Sequence, residues 1–179
     1  MQAVLSIAES PAPSSLNEIL SNWQPELRRL EQAILYGIRT DIPLLTSVAE
    51  HILRSGGKRL RPAMVFLGGA VGGEFLEDKL QVAAQVVEYL HTATLLHDDV
   101  VDNADMRRKQ AAARKIWGNE ASVLTGDYLL SMAFHMLTKL RNHAVLQLMS
   151  ETTTRMARGE LLQLTRSYNS ANEQEYLEI

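Results

Sequence analysis

Apolar residues recur every three or four positions along most of the chain, and this spacing predicts helices. The first predicted helical segment extends from about Ser15 to Ile38, where Pro25 is expected to split or restart the helix. Further helices are predicted over 43–53, 62–71, 76–103, 122–141 and 143–168, with another beginning near Ala171. Glycine pairs at 56–57 and 72–73 suit the ends of two of these helices.

No segment alternates apolar and polar residues between turn residues, so no strand is predicted. The segment over 76–103 is apolar around most of its circumference, which indicates the middle of a bundle. Residues 1–14, which include Pro11 and Pro13, are expected to form a flexible arm, and 15–179 a helical domain. The predicted fold is all-α, a bundle of long, mostly antiparallel helices joined by short loops.

Composition narrows the function mainly by exclusion. The 179 residues carry a net charge of -3, which gives no reason to expect nucleic-acid binding. The chain contains no cysteine, which excludes disulfides, thiolate metal sites and a cysteine nucleophile. No uncharged run is long enough to span a membrane, and the first residues lack the basic start of a signal peptide. A cytoplasmic protein is therefore expected.

Four of the seven aspartates lie within LLHDDVVDNADMRR, residues 95–108. Asp102 lies four residues after Asp98 and three residues after Asp99. On a helix, these spacings are expected to place all three carboxylates on one side. Each pair of like charges there repels by roughly 2–3 kcal/mol at an effective dielectric constant of about 20. One interpretation is a solvated acidic face. The other is an Mg²⁺ or Mn²⁺ site, because hard cations prefer carboxylate oxygens.

The metal interpretation implies a phosphorylated ligand, because Mg²⁺ takes one or two carboxylates and completes its shell with water and substrate phosphates. An EF-hand is excluded, since Val100, Val101 and Ala104 interrupt its ligand pattern and no glycine occurs between Gly73 and Gly118.

Basic residues that could bind a phosphate cluster twice. The segment RSGGKRLRP surrounds a Gly-Gly turn that opens onto a helix N-terminus, a position that favours anions, although a solvated turn explains it equally well. Arg107 and Arg108 follow the aspartates, and guanidinium groups bind phosphate bidentately. His91 lies two helical turns before Asp98 and so on the same face, where a packed core histidine is the alternative.

Three segments, GGKRLRP, VEYLHTATLLHDDVVDNADMRR and WGNEASVLTGDYLL, occur in this order and spacing. Together they resemble the N-terminal half of the trans-isoprenyl diphosphate synthases, especially the long-chain, octaprenyl-like polyprenyl diphosphate synthases. DDVVD matches the first aspartate-rich motif of that family. The resemblance implies an Mg²⁺-dependent prenyltransferase that condenses isopentenyl diphosphate head-to-tail with an allylic, farnesyl-type diphosphate into a long-chain all-trans polyprenyl diphosphate. Homodimers are usual in the family, and the lipid product is expected to be handed to a membrane.

The resemblance also assigns roles to single residues. Asp98 and Asp102 are implied to hold Mg²⁺ at the allylic diphosphate, with Asp99 supporting them, and Arg107 to contact the same diphosphate. The positions that the family uses for isopentenyl diphosphate are here Lys58, Arg61, His91 and Arg108.

Product length is expected to depend on Ala93 and Thr94, five and four residues before Asp98. Short-chain members tend to place aromatic residues there, which close the pocket. Small side chains leave it open, so a long product is expected, and Ala93→Phe is expected to shorten it.

The sequence departs from the family pattern in two ways. Lys109 stands where the family usually has glycine, and no aspartate follows Asp127, so the family's second aspartate-rich motif is absent from these residues. The chain is therefore expected to be a fragment of a longer synthase that is inactive or weakly active alone. The alternative is a non-catalytic helical subunit or regulatory partner of a prenyl diphosphate synthase.

Overall fold

The computed structural model describes residues 15–73 and 77–166. Its helices are α1 Leu16–Ser21, α2 Gln24–Gly37, α3 Pro43–Arg54, α4 Leu60–Val71, α5 Glu77–Val101, α6 Ala113–Trp117, α7 Asn119–Lys139 and α8 His143–Arg166. Two strands, β1 Met106–Arg107 and β2 Gln110–Ala111, pair antiparallel between α5 and α6. The all-α prediction is confirmed.

Two parts of the prediction need correction or lie outside the structure. The expectation of no strand is wrong, since β1 and β2 form a hairpin. Strands of two residues are too short to produce an alternating pattern in the sequence. The short helix α6 was also missed. The predicted arm over 1–14 and the helix predicted near Ala171 fall outside the described residues.

Prolines define where several helices begin. Pro25 and Pro43 occupy the first turns of α2 and α3, where the missing N–H has no partner within the helix to lose. The first predicted segment is accordingly split, with α1 ending at Ser21 and α2 beginning at Gln24. Local chemistry is sufficient to set these boundaries.

Helix α5 is the centre of the bundle formed by residues up to 140 and packs most extensively against α7 and α4. Along α2, the Gln85 amide donates to the Ala33 carbonyl at 3.0 Å, and the buried Tyr89 hydroxyl donates to the Ile34 carbonyl at 2.8 Å. On the α7 side, the buried Ser122 hydroxyl donates to a carbonyl of α5 at 3.0 Å. These bonds fix the rotation of α5 about its axis and so determine which side chains it exposes.

The chain forms two compact units, one ending at Leu140 and the other beginning at Arg141. Helix α8 belongs to the second unit, and the Asn142 side chain caps its start by accepting from the Val145 N–H at 3.1 Å. The single domain expected over 15–179 stays a prediction. Across the described residues, no helix combines the length and apolar character that crossing a membrane requires.

Candidate functional site

The acidic end of α5 separates the three aspartates that the sequence groups together. Asp98 is half-buried and Asp102 is exposed, and they lie one helical turn apart. Asp99 is only 1% exposed, and its Oδ1 accepts a hydrogen bond from Arg107 Nε at 2.6 Å. The expectation that all three carboxylates project from one side is wrong, because Asp99 turns inward to bind Arg107.

The end of α5 sets the direction in which the chain leaves the helix. The Ala104 N–H donates to the Asp99 carbonyl at 2.9 Å and the Asn103 N–H to the Val100 carbonyl at 3.2 Å. Asn103 has a φ of 52°, so the three features form a Schellman cap with asparagine in place of glycine. The β1–β2 hairpin, which carries the two predicted arginines, follows within three residues.

The hairpin turn consists of Arg108 and Lys109, which have φ values of 49° and 69°. A type I′ turn requires positive φ at both central residues, and glycine is the residue that adopts it most easily. The glycine expected at position 109 would therefore meet the conformational requirement of the turn at the least cost. Lys109 adopts the same region of backbone space at an energetic cost, so the departure from the family pattern preserves the turn.

The loop between α3 and α4 is held by Arg59, a role that the sequence did not reveal. The Arg59 side chain is 11% exposed and pairs with the Glu88 carboxylate on α5, which is 8% exposed. Arg59 Nη2 also donates to the Leu53 carbonyl at 2.9 Å. Lys58 and Arg61, by contrast, are exposed. Glu88 is the feature of the sequence that could have predicted this ion pair, since a carboxylate within an apolar helix needs a cationic partner.

Arg61, His91 and Arg108 come together beside this loop. Arg61 Nη1 lies 3.2 Å from His91 Nε2. A guanidinium group only donates, so Nε2 is the acceptor and the imidazole is neutral with its proton on Nδ1. Burial, and then the charge of Arg61, lower the pKa of His91 from its ordinary 6.5. The Arg108 guanidinium lies against Gly57, where a β-carbon would be 2.8 Å from Nη1, so the glycine leaves room for it.

Asp98, His91 and the arginines that act on this imidazole lie on one side of α5. The charges of Arg107 and Arg108 contribute to the lowered pKa of His91, which places both near that imidazole. Asp98 follows His91 by seven residues, or about 10 Å along the same helix face. Lys58 lies in the adjacent loop, exposed to solvent.

The two residues predicted to set product length differ in their environments. Thr94 is half-buried on the same helix face as Asp98, and its hydroxyl donates to the His91 carbonyl at 2.8 Å. Ala93 is 1% exposed and belongs to the core. Of the two, Thr94 shares the acidic face.

Asp98 and Asp102 suit a hard divalent cation. Two carboxylates one turn apart at a partly exposed helix end match the one or two that Mg²⁺ takes when phosphates and water complete its shell. Within the described parts of the chain, no group of three or more histidine, aspartate or glutamate residues could hold a metal by itself. The pair therefore fits a metal that binds together with a phosphorylated ligand.

Residues 42–179 match the polyprenyl synthetase family. The chain belongs to this family. It is 39% identical over 163 residues to the all-trans-nonaprenyl-diphosphate synthase (geranyl-diphosphate specific) of Rhodobacter capsulatus, covering 90% of this chain and 50% of that protein. It is 41% identical over 149 residues to the octaprenyl diphosphate synthase of Escherichia coli, covering 83% of this chain and 45% of that protein.

A solved structure supports the same conclusion for the fold of this chain. The polyprenyl synthase of Caulobacter crescentus CB15, complexed with calcium and isoprenyl diphosphate, superposes with a TM-score of 0.88 at 36% identity. The match covers 94% of this chain and 52% of that one. The chain thus spans about half the length of the relatives it matches, and the family predicted from the three segments is confirmed.

Proposed function

We propose that this chain contributes the first aspartate-rich motif of an enzyme that makes a long-chain all-trans polyprenyl diphosphate. The reaction is the head-to-tail condensation of isopentenyl diphosphate with an allylic, farnesyl-type diphosphate. The observation that carries the proposal is the placement of Asp98 and Asp102 on the same side of α5 as Arg61, His91 and Arg108. The nonaprenyl and octaprenyl products named for its relatives support a long product.

The residues divide the work between two diphosphates. Asp98 and Asp102 would hold Mg²⁺, which supplies positive charge against the departing allylic diphosphate. Arg107 donates to the allylic diphosphate. Its side chain is held by Asp99, which positions Arg107 and does not bind the metal. Isopentenyl diphosphate is bound by the second set, Lys58, Arg61, His91 and Arg108.

The carbon chemistry needs no nucleophile from the protein. The allylic carbon–oxygen bond breaks and its electron pair leaves with diphosphate. The double bond of isopentenyl diphosphate then attacks the allylic carbon, and a proton is lost to restore a double bond, the released diphosphate being its acceptor in our proposal. The side chains act by orienting the substrates and neutralising charge.

A binding experiment tests the site without requiring turnover. Inorganic diphosphate should raise the melting temperature in the presence of Mg²⁺ but not of EDTA, because a ligand that binds the folded state stabilises it. Asp98→Asn and Asp102→Asn should abolish this protection. Asp41→Asn, at an exposed aspartate before α3, serves as the control and should keep it. Equal protection in all three variants would contradict the proposed site.

A complementation experiment tests the activity. The chain is mixed with the separately expressed C-terminal half of the Escherichia coli octaprenyl diphosphate synthase, Mg²⁺, isopentenyl diphosphate and farnesyl diphosphate, and polyprenyl products are resolved by chromatography. Product that depends on Asp98 supports the proposal. Stimulation of a complete synthase by wild type and Asp98→Asn alike would instead favour the non-catalytic partner.

Product length offers a finer test in the same assay. Ala93→Phe is expected to shorten the product. Thr94→Phe should do so with a smaller loss of stability, because Thr94 lies on the acidic face whereas Ala93 is in the core. The chain-length distribution and the melting temperature of each variant are measured together. An unchanged distribution in both variants would contradict this assignment.

We further propose a cytoplasmic homodimer that hands its lipid product to a membrane. Membership of the polyprenyl synthetase family supports the dimer, which sedimentation velocity tests directly. Cell fractionation tests the location.

A further inference from the structure

The hairpin that carries Arg107 and Arg108 has a second attachment, through His51. His51 lies in the last turn of α3, and its Nε2 is 2.8 Å from the carbonyl oxygen of Ala111 in β2. A carbonyl oxygen accepts, so Nε2 carries the hydrogen and donates it. The bond joins residues 60 positions apart in sequence.

Aromatic packing holds the His51 ring in place for this bond. The ring meets the indole of Trp117 edge-to-face, with centroids 5.2 Å apart and planes inclined by 74°. Trp117 ends α6, the helix that follows the hairpin. His51 therefore contacts both the end of β2, at Ala111, and the end of α6, at Trp117.

A small cavity lies between α3 and the hairpin at this point. The cavity remaining among His51, Ser55, Asp99 and Arg107 has a volume of only about 10 Å³. The residues that line it come from the end of α3, from α5, from the hairpin and from the start of α6.

The hairpin has little stability of its own. Each strand has two residues, and both turn residues, Arg108 and Lys109, have positive φ without being glycine. An isolated two-stranded hairpin is marginally stable at best. Its position therefore depends on its attachments to the helices, and the structure provides one for each strand: Asp99 binds Arg107 of β1, and His51 binds Ala111 of β2.

We infer that His51 is a positioning residue that fixes β2, so that the turn holds Arg108 beside Gly57 and His91. The inference rests on the proposed function in one respect, that Arg108 binds a substrate diphosphate. Without the hydrogen bond, the hairpin stays attached mainly through Arg107, and Arg108 occupies its binding position for a smaller fraction of the time. Apparent affinity falls in proportion to that fraction.

Two substitutions separate the hydrogen bond from the packing. His51→Phe keeps a ring against Trp117 but removes the donor, whereas His51→Gln restores an N–H donor at similar reach. Amide hydrogen exchange over residues 106–112 is measured without ligand, together with the dissociation constant for inorganic diphosphate in Mg²⁺. His135→Phe, at an exposed histidine of α7, is the matched control.

In His51→Phe, we expect faster exchange confined to 106–112 and affinity about tenfold weaker, with His51→Gln close to wild type. Exchange in His51→Phe that matches the wild type, or a Gln variant as loose as the Phe variant, would overturn the inference. If the Phe variant does not fold, His51→Leu replaces it in the same comparison. Wild-type protein that fails to bind diphosphate, combined with a loosened hairpin in His51→Phe, would refute the proposed function while supporting the role of His51.

Discussion

The loop before α4 and the β1–β2 hairpin present cations to the same side of α5 but are anchored differently. In the loop, Arg59 is buried against Glu88, and the neighbouring Lys58 and Arg61 are exposed. In the hairpin, Arg107 is bound to Asp99 and is itself a proposed substrate contact. The loop thus assigns anchoring and binding to different residues, whereas in the hairpin Arg107 has both roles.

This difference determines which mutations are informative. A change at Arg59 or Glu88 tests how the loop is held while leaving the proposed ligands intact. A change at Asp99 alters the anchor and one ligand together. The stability effect and the binding effect should therefore separate in the loop and coincide in the hairpin.

The largest expected effect comes from breaking the buried pair of the loop. Glu88→Gln should lower the free energy of unfolding by about 3 kcal/mol, because it leaves the Arg59 guanidinium buried without its main counter-charge. The double variant Arg59→Met/Glu88→Leu should recover most of that loss, since apolar groups of similar size replace both charges. Urea denaturation of the two variants measures the difference.

The more exposed pair of Arg54 and Glu50, 3.7 Å apart, is the control for this experiment. Glu50→Gln should change stability by less than about 0.5 kcal/mol, because solvent screens exposed ion pairs. Equal losses in Glu88→Gln and Glu50→Gln would show that the loop is not held by its buried pair.

The next effect concerns the anchor of the hairpin. Asp99→Ala should destabilise the protein by about 2 kcal/mol, because a hydrogen bond between charged groups is lost from a buried position. Asp99→Asn keeps an acceptor for Arg107, so its free energy of unfolding should lie between those of the wild type and Asp99→Ala. Both variants should also weaken binding of Mg²⁺-diphosphate, as measured by calorimetry. Asp98→Ala should weaken binding with a smaller loss of stability, because Asp98 is more exposed than Asp99. A loss of stability as large as that of Asp99→Ala would contradict the distinction.

The sequence predicts those features that depend on neighbours along the chain. Proline placement and apolar spacing give the long helices to within a few residues, because both act over one or two turns. The helical period also places His91 and Asp98 on one face.

Features that depend on distant partners were missed. Spacing alone does not show that Asp99 turns inward, because its partner Arg107 lies beyond the end of the helix. The pairing of Arg59 with Glu88 joins positions 29 residues apart. These contacts form only once the helices pack, so a single sequence does not reveal them.

The backbone provides a third way to compare the two segments. The loop places glycine at one of its two positive-φ positions, Gly56, whereas the hairpin turn has none at Arg108 and Lys109. Lys109→Gly should therefore stabilise the protein by about 1 kcal/mol in urea denaturation, because it removes the steric cost of the left-handed conformation. Lys109→Ala should bring no such gain. A destabilising Lys109→Gly would show that the turn is not strained at this residue.

The smallest expected effect is at His91, which lies between the two segments. Burial, and then Arg61, lower its pKa, and Arg108 and Arg107 contribute less than Arg61. The unfolded chain therefore binds the proton more tightly, so the stability that neutral His91 supports is present above pH 6.5 and is lost as the pH falls below it. Relative to His91→Gln, the wild type should lose no more than about 1 kcal/mol on acidification to about pH 5.5.

An NMR titration of His91 shows which of the two segments lowers the pKa of this residue more. Arg61→Gln, in the loop segment, should raise the pKa of His91 more than Arg108→Gln in the hairpin, because Arg61 contributes the larger lowering. The reverse order would place the hairpin charge closer to the imidazole than the loop charge. The imidazole would then be controlled mainly by the segment that His51 and Asp99 hold in place, and loosening that segment in His51→Phe should raise the His91 pKa as well.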